Sequence, residues 1–173
     1  MPDAGRLQPR ELVEGTRIVF ARELEAYFDS PIAYIYATVF LVLSCTTFMN
    51  SFFLDAVVDM SPYFELLPFL LIPFVPAITM RSWAEERAQH TFELLMTLPL
   101  HSLQLVLGKY LAAVCFYMLV LLGTLPIVFM LIWLGDPDVG LILCNYLGAL
   151  LLGAFFLAFG LFASALTRDQ IVA

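Results

Sequence analysis

TMRSWAEERAQHTFELLMTLPL, residues 79–100, sets two arginines, three glutamates and a histidine between two long apolar runs. How this segment is read decides the fold. If the flanking runs cross a membrane, it joins two spans at one face of the bilayer; if they form a soluble core, it is an ordinary surface helix. Composition settles the choice. The 173 residues are 62% hydrophobic, with a mean hydropathy of +0.92, where soluble domains run at roughly 45–50% apolar. Charge collects in a few islands, so the apolar runs are long enough to cross a hydrocarbon core of about 30 Å. The expected class is an all-α, polytopic membrane protein.

Working outward, the run before the segment predicts a span over 63–80. It contains Pro68, Pro73 and Pro76, each of which removes a backbone donor, so this helix is expected to be kinked or broken, either as a static kink or as the lining of a pathway or hinge. The run after it predicts a span over 105–134 with Pro126 inside, then a tight turn at GDPD, 135–138, and a last span over 139–166. There, Ala149 with Gly153, Ala154 with Ala158, and Gly160 with Ser164 offer small residues four apart for close helix approach. Toward the N-terminus, DSPIAY provides Ser30 as N-cap and Pro31 as first helical residue, opening a first span over 32–54 with Tyr34 and Tyr36 near its inner end. Residues 1–30 form a tail and an amphipathic helix over 10–28. Its apolar positions Val13, Phe20, Leu24, Tyr27 and Phe28 suit the membrane interface, with Arg10, Glu11, Glu14, Arg17, Glu23 and Glu25 on the remaining surface.

Charge orients these spans. The basic residues are Arg6, Arg10, Arg17, Arg22, Arg81, Arg87, Lys109 and Arg168. None lies in 55–65 or 135–138, which hold only acids: Asp55, Asp59, Glu65, Asp136 and Asp138. The positive-inside rule puts those two segments outside and the N-terminus in the cytoplasm. The net charge of −7 disfavours a nucleic-acid partner. The first 30 residues contain no unbroken apolar core of a cleavable leader.

Chemistry within the spans is not expected. No HExxH motif, no Ser/His pair and no carboxylate deep in a span is apparent, and no GxxxxGK[ST] loop binds nucleotide. Cys45, Cys115 and Cys144 fall in apolar runs at spacings that fit neither a disulfide framework nor a zinc site. The charged segment carries the function instead. Residues 82–97 favour helix until Pro99, with Trp83, Arg87 and Leu94 near one face and with Arg81–Glu85 and Glu86–His90 four apart. A handful of residues would join two spans, so about twenty with aromatic and aliphatic side chains among the charges point to a docking surface.

This segment, followed by LGKYLAA, resembles the signature between the second and third spans of ABC-2 type transporter permeases, roughly R-x-x-A-E-E-R-x-x-G-T-x-E-L-L-x-T-x-P. ELEAYFDSPIAYIYATVFLVLS is similar to the interfacial helix and first span of the gliding-motility-associated branch. Glu85, Glu86, Arg87, Thr91, Glu93, Leu94, Leu95 and Pro99 match the pattern; His90 stands where the family usually has Gly. The resemblance implies a type V exporter-like transmembrane domain over 31–173 in the bacterial cytoplasmic (inner) membrane, and a pathway subunit that is not itself an enzyme. It pairs with a second permease and with a cytoplasmic ATPase that holds ATP and magnesium. Residues 82–97 become the coupling helix: Arg81 at the boundary, Glu85, Glu86 and Arg87 as a polar docking network with Thr91 and Glu93, and Trp83, Phe92 and Leu95 as apolar contacts. Such permeases usually have six spans, so four predict a shortened chain. The alternative function is a membrane anchor that recruits a cytoplasmic partner without transport.

Overall fold

The computed structural model describes residues 9–55, 60–88, 102–135 and 137–166. Among them every regular element is helical: α1 Pro9–Asp29, α2 Pro31–Asp55, α3 Ser61–Ala88, α4 Ser102–Leu122, α5 Leu125–Leu134 and α6 Val139–Leu166. Three stretches are long and apolar enough to cross a membrane: Pro31–Leu54, Leu103–Leu134 and Val139–Leu166. The apolar part of α3, Ser61–Pro76, is shorter.

The start signals act as their chemistry dictates. Ser30 is buried and accepts the Ala33 amide through both its side-chain hydroxyl, at 3.4 Å, and its carbonyl, at 3.2 Å, capping α2. Asp138 caps α6 by accepting the amides of Gly140 and Leu141 at 2.9 and 3.2 Å, and its charge sits favourably at the positive end of that helix.

Two expected spans differ from the sequence reading. The helix over 105–134 is interrupted: Gly123 and Thr124 form a turn, and α5 restarts with Pro126 in its first turn, the position proline tolerates. The three prolines of the second span do not break it, since α3 continues as helix through Pro68, Pro73 and Pro76 and on to Ala88. No helix boundary falls at Arg81.

α3 also starts well inside the bundle. The Tyr63 hydroxyl lies 3.3 Å from that of Ser44, eleven residues before the end of α2, or about 16 Å at 1.5 Å per residue. The Phe64 ring meets Tyr146 of α6 edge-on at 5.1 Å. Glu65, expected in an acidic outer connection, therefore sits in α3 beside the middle of α2.

The core runs between α2, α3, α4 and α6, around Phe40, Tyr63, Leu71, Phe74, Tyr117 and Leu157. α3 and α6 run parallel and pack extensively, as do α1 and α4. Small residues make room: a side chain at Gly153 would overlap the Tyr117 ring, and one at Gly160 would meet Thr79 at 2.8 Å. Of the expected small pairs, Ala149, Gly153 and Ser164 are buried, while Ala158 is exposed.

Candidate functional site

α3 continues from its apolar part into the charged segment. Arg81, Trp83, Glu85, Glu86 and Arg87 lie on its last two turns as one continuous helix with the apolar part. Thr91, Phe92, Glu93 and Leu95, with His90, Leu94 and Pro99, lie outside the described residues, as does the rest of the expected helix to residue 97. The proline residues expected to line a pathway split between faces. Pro73 is exposed, and Pro68 and Pro76 are half-buried. On the open face, Pro73 stands with Leu66, Phe69 and Ile72.

Just past the segment, α4 begins at Ser102 and α1 lies along its first turns. The two helices run parallel in close register. A side chain at Gly15 would meet Gln104 at 2.7 Å, and one at Gly108 would meet Val19 at 2.6 Å, so each glycine admits the partner's bulk. Farther along, Tyr27 stacks on Phe116 with centroids 5.1 Å apart. Between these contacts the Lys109 ammonium, its side chain 1% exposed, donates to Glu23 at 3.0 Å, and Arg22 reaches the same carboxylate oxygen at 3.2 Å. The interrupted stretch 103–134 would be about 48 Å long at 1.5 Å per residue, well beyond a hydrocarbon core of about 30 Å. α1 lies along the first part of this stretch, from Gln104 to Phe116.

Sequence reasoning missed this pair. Glu23 reads as a surface residue because its neighbours in the chain are charged. The available signal was Lys109, the only lysine, standing in an apolar run directly after Gly108. The stripe that docks on α4 is Gly15, Val19, Glu23 and Tyr27, spaced by four. Of the apolar residues expected to suit the membrane interface, Tyr27 is buried; Phe20 and Leu24 are half-buried, and Val13 and Phe28 are exposed. These four form a flank adjoining the docking stripe.

A second polar cluster lies where α4 gives way to α5. The Thr124 hydroxyl is 2.7 Å from that of Tyr146 and also donates to the Leu121 carbonyl at 2.7 Å. With Ser44 and Tyr63 alongside, hydroxyls from α2, α3, α6 and the α4–α5 turn satisfy one another in an apolar interior, where an unpaired one would be costly. No group of three or more metal-ligating side chains occurs among the described residues.

The family model described as ABC-2 family transporter protein matches residues 55–173, more than half of the chain. The match begins at the end of α2 and takes in the charged segment, α3 and everything after it. No curated protein and no solved structure matches the chain.

Proposed function

Since the chain belongs to the ABC-2 transporter family, we propose that this integral, multi-pass membrane protein is the permease subunit of an ATP-driven transporter. It couples hydrolysis in a partner subunit to movement of substrate across the membrane. Residues 82–97 serve as the coupling helix, resting on a cytoplasmic ATPase that holds ATP and magnesium. A second permease copy or homologue completes the pathway. The N-terminus faces the cytoplasm, the acidic connections face outward, and the membrane is the bacterial inner membrane. Similarity over ELEAYFDSPIAYIYATVFLVLS favours the gliding-motility-associated branch.

The observation that carries this reading is the continuity of α3, which joins the apolar bundle to the charged segment without a break. A helix is stiff along its axis, so a push on residues 81–88 reaches Phe74 and Tyr63 in the core without being absorbed by a flexible joint. On the other side of the segment, α4 enters the bundle with α1 clamped to it.

Affinity purification in gentle detergent tests the proposal, comparing the intact chain with a variant carrying Glu85, Glu86 and Arg87 changed to Ala. An ATPase should accompany the intact chain and be lost from the well-folded variant. If none accompanies either, the membrane-anchor reading replaces transport.

A further inference from the structure

Glu65 occupies a place that bilayer physics penalises. It follows Tyr63, whose hydroxyl meets Ser44, and Phe64, whose ring meets Tyr146. α2 continues eleven residues beyond Ser44, and α6 begins seven residues before Tyr146. Position 65 of α3 is thus about 10–16 Å inside the ends of its neighbours. Glu65 is exposed, and it forms no ion pair or hydrogen bond with another described residue. Around it on the open face of α3 stand Leu66, Phe69 and Ile72, exposed by 44%, 68% and 62%, with Pro73. A carboxylate turned toward hydrocarbon at such depth is strongly disfavoured, and ionisable residues so placed face a path or a charged partner.

We propose that Glu65 and Phe69 form a recognition site for a lipophilic cation on the open face of α3. Their spacing of four puts them one above the other on the helix, with Cβ atoms about 6 Å apart. The carboxylate neutralises the charge, the phenyl face adds a cation–π contact, and Leu66, Ile72 and Pro73 cover the apolar body. An anion of the same shape meets repulsion at the same spot, so the site selects by sign of charge. This deepens the permease reading, on which it rests, by giving the transported class: amphiphiles with an amine or other onium centre.

The test uses two ions of nearly the same shape and opposite charge, tetraphenylphosphonium and tetraphenylborate. The full chain is placed in nanodiscs of phosphatidylcholine, with binding to empty nanodiscs subtracted. Losing a contact charge in a medium of intermediate dielectric should weaken tetraphenylphosphonium binding about tenfold or more in Glu65→Gln. Glu65→Asp should stay within about threefold of the parent, because it keeps the charge. Phe69→Leu should weaken the cation, and tetraphenylborate should not lose affinity in Glu65→Gln. Equal binding of the cation to the parent and Glu65→Gln overturns the proposal. So does a Glu65→Gln variant that changes only the oligomeric state, which would make a second copy the occupant of this face. No ATPase is needed for the binding assay, so its failure is separate from a failure of the co-purification that tests the permease reading.

Discussion

Among single residues, Glu23 and Lys109 have the most to lose. Glu23 holds the Lys109 ammonium and Arg22 on one carboxylate oxygen, and removing one partner of a buried ion pair typically costs about 3–5 kcal/mol. Lys109→Met should therefore lower the thermal unfolding temperature in detergent sharply. Glu23→Gln should do so less, because the amide still accepts from Lys109. Changing both to apolar residues of similar volume should recover much of the loss, since a buried pair adds little over good packing. If Lys109→Met unfolds at the parent's temperature, the contact carries no stability. The sequence disclosed both residues but not their meeting: periodicity locates a residue on its own helix and says nothing of a partner 86 positions away. The residues proposed to couple to an ATPase show the opposite balance. Their pattern was plain in the sequence, and the structure adds the helical backbone of residues 81–88.

For the elements, glycine positions separate packing faces from lipid faces. Gly153 faces Tyr117 and Gly160 faces Thr79, both in tight contact, whereas nothing lies within 4 Å of a side chain at Gly148. Gly153→Ala should cost about 1–3 kcal/mol as the Tyr117 ring is displaced from its hydrogen bond to Ala149. Gly160→Ala should fall below it, because the Thr79 side chain can turn. Gly148→Ala should be neutral or stabilising by up to about 1 kcal/mol, from the smaller freedom of its unfolded chain. Unfolding temperatures of the three variants check the order, and a Gly148 variant as damaged as Gly153 would contradict this assignment of faces. The limits of α2 and α6 were legible because Ser30, Pro31 and Asp138 act locally. Those of α3 were not. Three prolines and a rise in charge at Arg81 favour a break, but the helix continues through them. The α4–α5 junction was not foreseen either: one span was expected over 105–134 with Pro126 inside, and the interruption lies at Gly123 and Thr124, ahead of it.

On the scale of the whole molecule, the question is which end faces which compartment. The ends of α2 and α5 lie toward the connections that hold acids and no base, and α1 with the start of α4 lies at the other end. Asp138 and Glu14, both exposed, mark the two. In a variant lacking Cys45, Cys115 and Cys144, a cysteine introduced at position 138 should react with an impermeant maleimide added to intact cells. One at position 14 should react only after permeabilisation, as the distribution of basic residues requires. The reverse pattern would turn the bundle over and place the charged segment beyond the reach of a cytoplasmic ATPase. Membrane class and the span of α2 were readable from composition because bilayer thickness is a fixed ruler. The inset start of α3, and with it the exposed position of Glu65, was not, since only three-dimensional register sets the depth of one helix against another.

The clamp between α1 and α4 also imposes an order on synthesis. At about 5–20 residues per second, Lys109 leaves the ribosome about 4–17 seconds after Glu23. Throughout that interval the first helix has no protein to dock on, and its flank of Val13, Phe20, Leu24 and Phe28 is apolar enough to rest on the lipid surface meanwhile. The nascent chain thus starts with its N-terminal helix parked on the bilayer, and it locks only when α4 arrives. An insertion machine that delayed this stretch would leave a glutamate and a lysine waiting on opposite sides of an open seam.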